Sequence, residues 1–241
     1  MDELHSVSCN HEGVELKGLV AAPSTAGAHP AVLVMHTALG IGKQMQRQVR
    51  RLAQMGYLAV ATDMYGGGAS YINPAGAGSA FSQLRENPQL LRARTVAWHA
   101  LVCGMANVER TRVAAIGYCF GGHCALELAR SGADVKVVVS FHGLLNTSMP
   151  ALPRAIQGIV AVYTGAEDPY APEQDVQAFR QEMVVAEARW QVTVFGGVAH
   201  SFTDPDAAMM NRPGIAYDAL ADRTSWTGAL TLLETQLRNR V

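Results

Sequence analysis

Cys119 sits in Gly117-Tyr118-Cys119-Phe120-Gly121-Gly122, between the apolar run Arg112-Val113-Ala114-Ala115-Ile116 and the helix-forming stretch Cys124-Ala125-Leu126-Glu127-Leu128-Ala129. A strand that passes through Gly-x-nucleophile-x-Gly into a helix is a nucleophile elbow. The turn is sharp enough that side chains two positions either side of the nucleophile collide, which accounts for Gly117 and Gly121. It lifts the reactive atom above the carboxyl edge of a sheet and leaves it at a helix N-terminus, where free N–H groups and the dipole favour a thiolate. The chemistry implied is attack by sulfur on an electrophilic carbon.

Such a nucleophile needs an acid and then a histidine, in that order along the chain. Asp168 follows the run Ile159-Val160-Ala161-Val162-Tyr163-Thr164 and lies in the turn Gly165-Ala166-Glu167-Asp168-Pro169. Its neighbour Glu167 is the rival, with a longer and freer side chain; the shorter aspartate in a tight turn is preferred. His200 comes after a final strand, in Gly196-Gly197-Val198-Ala199-His200-Ser201-Phe202, a loop able to reach over a sheet edge. His36 and His142 also fall at strand carboxyl ends, so both are expected to line the pocket as hydrogen-bond donors behind the reacting groups. His123, in the first turn after the elbow, is expected to pack or cap, and His99 to be structural. No His-Glu-x-x-His motif or Cys/His cluster is present, so neither a metal nor another cofactor is expected.

The elements that must hold these groups alternate. Val14 to Ala22 reads as an antiparallel edge strand, and Ala31 to Met35 and Leu58 to Ala61 as buried strands. Between the latter two, Met45, Val49, Leu52 and Ala53 mark one face of a helix. The segment Met64 to Ser82 is rich in Gly, Ala and Ser without a period and reads as a long surface loop over a site. Pro88 opens a helix to about Cys103. After the elbow, Val135 to Phe141, Ile159 to Tyr163 and Trp190 to Phe195 are further strands. Pro172 opens a helix to about Ala186, and Trp226, Leu230, Leu233 and Leu237 line the buried face of a last helix. This alternation predicts an α/β fold with a mostly parallel central sheet flanked by helices, as one domain over residues 1–241.

Composition narrows the partners. With 49% hydrophobic residues and a net charge of −1, nothing argues for nucleic acid or an anionic membrane, and no apolar run is long enough to span a bilayer. Met1-Asp2-Glu3-Leu4-His5 lacks the basic and apolar regions of a signal peptide, and the four cysteines make no disulfide framework, so a reducing cytoplasm is expected.

The elbow, the Asp168 turn and the His200-Ser201-Phe202 loop together resemble the dienelactone hydrolase (carboxymethylenebutenolidase-like) family, as does the tail from Ala216-Tyr217-Asp218 through Ala221-Asp222-Arg223-Thr224-Ser225-Trp226. The resemblance runs from about residue 14 to the end. It implies a compact α/β-hydrolase fold with no large lid domain, a Cys119–His200–Asp168 triad, and an oxyanion hole of the Phe120 and Ala38 N–H groups. Two positions depart from the founding enzymes. Where those hold the resting thiol with a glutamate this chain has Thr37, and where they grip a substrate carboxylate with an arginine, four residues past the histidine, it has Asp204. Arg85, Arg92 and Arg212 are the cations that could compensate. Thr37, Asp204 and Tyr118 join His36 and His142 as residues expected to shape the pocket.

The activity implied is hydrolysis of a small ester or lactone through a thioester acyl-enzyme, without a cofactor. A reading from another class makes Cys119 a redox-sensing thiol with Cys124 as its resolving partner, although Cys124 falls more than a turn into the helix, facing the core. A small-molecule binding protein on the same fold is the third. An ester panel separates the first from both.

Overall fold

The computed structural model describes residues 3–71 and 74–238. Eight strands form one sheet in the order β1-β2-β4-β3-β5-β6-β7-β8. They are β1 (His5–His11), β2 (Val14–Ala21), β3 (His29–Met35), β4 (Leu58–Thr62), β5 (Val108–Tyr118), β6 (Val137–Phe141), β7 (Ile159–Gly165) and β8 (Arg189–Phe195). From β4 to β8 every neighbouring pair is parallel; β2 is antiparallel to both β4 and β1. Strands β3, β4 and β6 are buried almost throughout, which is why they read as continuous apolar runs.

The strand expected at the edge is not the outermost. β1 lies outside β2, joined to it by the two-residue turn Glu12-Gly13, where both φ angles are positive at 51° and 81°. That is the twist a tight hairpin requires. Polar side chains dominate β1, and only its Cys9 is buried, so it offers no apolar run to read.

Among the described residues six α-helices cover the sheet: α1 (Lys43–Gln54), α2 (Pro74–Glu86), α3 (Pro88–Cys103), α4 (Phe120–Arg130), α5 (Glu173–Val185) and α6 (Ala219–Leu237). Helices α1 and α6 pack on one face and α2 to α5 on the other. The helical period in α1 places Met45, Val49, Leu52 and Ala53 in the core, as read from sequence. Asn87 caps α3 by accepting from the Leu90 N–H at 3.0 Å, just before Pro88. In α6, Trp226, Leu233 and Leu237 are buried, with Leu230 only partly covered.

The long loop expected from Met64 to Ser82 is shorter than that, because its second half is helical. Pro74 begins α2, while Ile72 and Asn73 lie outside the described residues. Small residues give this helix no amphipathic period, so its anchoring is tertiary. Ala77 and Leu84 are buried, the Phe81 ring meets Phe120 edge-on at 5.3 Å, and Arg85 donates to His123 Nε2 and Asn146 Oδ1.

Candidate active site

The parallel strands deliver the chemistry to one edge. In sheet order, β3 is followed by His36 to Ala38, β5 by Cys119, β6 by His142, β7 by the turn that holds Asp168 and β8 by the loop that carries His200. This is the carboxyl edge, where parallel sheets place their ligands.

Cys119 has φ 55° and ψ −118°, a conformation that costs of order 1–3 kcal/mol. Its N–H holds the turn by donating to Phe141 O at 3.0 Å and His142 Nδ1 at 3.1 Å. The flanking glycines are obligatory for packing. A Cβ on Gly117 would lie 1.9 Å from Gly121 O, and one on Gly121 would lie 2.1 Å from Met35 O.

His200 Nδ1 meets Asp168 Oδ2 at 2.8 Å, with both side chains almost fully buried. Asp168 is held in turn, its Oδ1 accepting from the Tyr170 N–H at 2.8 Å. The rival acid, Glu167, is exposed to solvent. The backbone of His200 is clamped as well, its N–H donating to Gly214 O at 2.9 Å and its carbonyl accepting from Ala216 N–H at 3.0 Å.

The sulfur of Cys119 faces His200 and the N–H groups of Ala38 and Phe120 together. Burial opposes its ionisation, but the charge and hydrogen bond of His200 and those two N–H groups outweigh it, leaving the thiol pKa below its ordinary value. Burial likewise disfavours a charged His200, but Cys119 and Asp168 push its pKa up to about 10. The two shifts are coupled, since each group favours the charged form of the other.

The Ala38 N–H is aimed by its own peptide unit. On the opposite side of that plane, Thr37 O accepts from His36 Nδ1–H at 2.6 Å and from Gly40 N–H at 3.1 Å. His36 Nε2 accepts from Met64 N–H at 3.0 Å, which fixes the neutral tautomer, and burial holds its pKa down. Tyr65 completes the support by donating its hydroxyl to Ala38 O at 2.9 Å.

Above these groups lies a cavity of about 310 Å³, walled by apolar side chains including Leu39, Phe81, Leu144 and Ile215, with Cys119 and His200 on its surface. Thr37, His142 and Asp204 line it as the sequence suggests. His36 and Tyr118 do not. His36 is fully buried behind the Ala38 loop, and Tyr118 points to the opposite face of the sheet, stacked on Phe141 at 4.8 Å. Strand alternation separates Tyr118 from the residue that follows it.

Of the three candidate cations, Arg212 lines the cavity. Arg85 faces a separate polar cleft, and Arg92 is paired with Glu127 at 2.6 Å. Leu144, Gln44 and Ile215 were not singled out from sequence, since they come from three separate segments with no local signal; Tyr170 stands two residues past Asp168. Its ring meets His200 edge-on at 4.7 Å. Among the described residues, no group of three or more His, Cys, Asp or Glu side chains could hold a metal, and no helix is long and apolar enough to cross a membrane.

The chain is similar over nearly its whole length to known proteins. Residues 16–237 match the sequence model of the dienelactone hydrolase family. A putative carboxymethylenebutenolidase of Synechocystis sp. is 25% identical, covering 96% of this chain and 96% of its own. A probable 2-oxo-3-(5-oxofuran-2-ylidene)propanoate lactonase of Bradyrhizobium sp. is 24% identical over 90% of this chain and 88% of its own. Among solved structures, the dienelactone hydrolase-like promiscuous phosphotriesterase P91 from metagenomic libraries is 32% identical with a TM-score of 0.90, covering 97% of this chain and 98% of that one.

Proposed function

The chain belongs to the dienelactone hydrolase family, a lactone and ester hydrolase on the α/β-hydrolase fold, and from that premise we propose that it works through a Cys119–His200–Asp168 triad and a thioester acyl-enzyme. The observation that carries this reading is the convergence on one sulfur of the His200 imidazole and the Ala38 and Phe120 N–H groups, on the surface of the apolar cavity.

The steps follow from the geometry. The Cys119 thiolate attacks the carbonyl carbon, and the carbonyl electron pair moves to oxygen, which takes up the Ala38 and Phe120 N–H groups. A single donor of this kind is worth about 10²–10³ in rate. The tetrahedral intermediate collapses, breaking the ester C–O bond, and the departing alkoxide takes the proton of His200. Cys119 is now acylated and His200 neutral. Water gives a proton to His200 as its oxygen attacks the thioester, the C–S bond breaks, and the carboxylic acid leaves with thiolate and imidazolium restored. Asp168 keeps the imidazole in the orientation and tautomer both halves require. A reducing cytoplasm suits such a thiol.

A redox-sensing role for Cys119 finds no support in its proposed partner. Cys124 is fully buried on α4, and burial pushes its thiol well above the ordinary range. The deciding experiment is rapid acid quench during turnover of a short aryl ester, followed by peptide mass analysis. An acyl group on Cys119 within the first turnover is expected. Its absence, or full activity in Cys119→Ala, overturns the triad.

A further inference from the structure

The triad, taken as proposed above, has a distance to bridge. His200 follows β8, three strands from the elbow strand β5 in the sheet order. At the usual strand spacing that is about 14 Å, so the loop after β8 must fold back across the ends of β7 and β6 and be held there. Asp168, after β7, holds the far side of the imidazole. Within the triad only the contact of the Cys119 sulfur with His200 ties the returning loop to the elbow, and that is the contact the chemistry must make and break.

His142 stands in that gap, at the end of β6. One side of its ring receives the Cys119 N–H, at Nδ1 and 3.1 Å. The other side, Nε2, lies 2.8 Å from Thr203 Oγ1, three residues beyond His200 on the returning loop. Since Nδ1 accepts, a neutral ring must carry its proton on Nε2 and donate it to Thr203. Gln44 of α1 donates to the same Thr203, at its carbonyl (3.3 Å) and its Oγ1 (3.4 Å), so the anchor is itself fixed. Both nitrogens of a fully buried imidazole are thus committed to the backbone of one reacting loop and the side chain of the other.

Backbone strain is concentrated along the same line. Cys119, His142 and Ser201 all have positive φ, at 55°, 40° and 60°. Non-glycine residues persist there only where surrounding contacts over-determine them, and such strain clusters at functional sites. The ring also stands edge-on to His200 and to Phe202, each at 5.1 Å, and so packs against the base.

We propose that His142 is a positioning residue, a neutral imidazole strut from the Cys119 backbone to Thr203 that sets the distance between the nucleophile sulfur and the His200 ring. Its charge state is part of the device. A proton on Nδ1 would remove one of the two acceptors of the Cys119 N–H, leaving Phe141 O alone, and place a cation beside that of His200; burial and the His200 charge keep the ring neutral. The charged or titratable groups that face it are Cys119 and His200, both members of the pair it spaces, and Tyr118, whose ring lies 6.2 Å away and whose hydroxyl burial keeps protonated.

Thr203 offers the cleaner handle, because it does not line the cavity. The variants are Thr203→Val, Thr203→Ser, His142→Asn and the double Thr203→Val/His142→Asn. For each, the iodoacetamide alkylation rate of the Cys119 peptide is followed against pH by mass analysis, with kcat and KM for a neutral ester beside it. Thr203→Val is expected to slow alkylation at neutral pH and to lower kcat by about tenfold each, with KM within about twofold, and to move the thiolate titration upward. Thr203→Ser, which keeps the hydroxyl, restores both. His142→Asn keeps an acceptor near the Cys119 N–H but cannot reach Thr203, so it should match Thr203→Val, and the double variant should be no worse than either. The strut is overturned if folded Thr203→Val keeps the wild-type thiolate titration and kcat, or if the losses in the double variant simply add. The triad reading fails differently: wild-type Cys119 would then titrate as an ordinary thiol, and its alkylation would not depend on His200.

Discussion

The two ends of α4 bury charge in opposite ways. At its C-terminal half, Glu127 accepts from Arg130 at 2.9 Å and Arg92 at 2.6 Å, and Arg130 goes on to Glu182 at 2.7 Å. Each arginine also reaches a carbonyl of the 145–149 segment, Arg130 to Leu145 O and Arg92 to Met149 O. Every charge has its partners, and Glu127 is held below the ordinary carboxylate range: burial works against its ionisation, and Arg130, His123 and Arg92 overcome it. At the N-terminal end, Cys119 has one cationic partner, two backbone donors and a cavity. Burial is balanced in both places. Only at the elbow is one side of the ionised group left open, and the difference between a ladder that fixes a fold and a pair that can react lies in that opening.

Removing the sulfur should have the largest effect. Cys119→Ala is expected to lower kcat/KM for esters by at least about 10⁴-fold while changing unfolding free energy by no more than about 1 kcal/mol. Cys119→Ser should fall between, since serine has no thiolate to draw upon. Activity assays paired with chemical denaturation of the same samples test the split.

Glu127→Gln should do the reverse. It removes the charge of one of the two carboxylates paired with the buried Arg130, a change of the kind that costs about 3–5 kcal/mol. For a chain of this size that corresponds to a fall in Tm of about 10 °C. Ester hydrolysis per folded molecule should stay near wild type, and a kcat loss that exceeds the stability loss would show that the two ends of α4 are coupled.

A third test uses protons. His200 is raised to about 10 and Cys119 lowered, so both shifts widen the range in which the proposed ion pair forms. Below the depressed thiol pKa the sulfur is protonated and attack fails; above about 10 His200 loses the proton owed to the leaving group. kcat/KM should therefore hold a plateau between those two limits, with its acid limb below the ordinary thiol range. Acylation removes the negative sulfur, the chief cause of the His200 shift, so the imidazole of the acyl-enzyme returns toward its ordinary value of about 6.5. For an ester limited by deacylation, kcat should fall in acid near that value while kcat/KM does not. Superimposable profiles for the two constants would contradict the ion pair.

The smallest effect concerns the mouth of the cavity, where Asp204 and Arg212 both line the wall. Asp204→Asn should improve anionic esters over matched neutral ones by about 1 kcal/mol, roughly fivefold. Arg212→Gln should move the ratio the other way. If Asp204→Asn leaves the ratio unchanged, the arginine alone sets the charge preference.

How much of this could be read in the sequence depended on how local each signal was. The elbow is a six-residue pattern whose glycines are forced by backbone contacts, and the buried parallel strands announce themselves as apolar runs. Asp168 and His200 follow from chain order and from their place after β7 and β8. The parts without a local signal depend on distant chain segments. β1 pairs through backbone bonds and needs no apolar pattern, although the Glu12-Gly13 turn was a usable clue. α2 is built of small residues and is fixed by Phe120, His123 and Asn146, far away in sequence. His36 and His142 occupy equivalent positions at strand ends, but only His142 reaches the cavity, because His36 turns back to serve the Thr37 carbonyl.

The pressure of Gly117 and Gly121 against their neighbours has a consequence for what this site could become. The flanks of the elbow are locked by backbone packed on backbone, whereas the side chain at position 119 faces the cavity and bears none of that load. Fold and reactivity are therefore written at different positions of the same short segment, and a library confined to position 119 would vary the chemistry with the architecture held constant. Its simplest member, the alanine form, keeps the cavity, the oxyanion donors and His200 while losing the power to break a bond. Immobilised on a resin, it would serve as a receptor for the natural substrate and draw that compound intact from a cell extract.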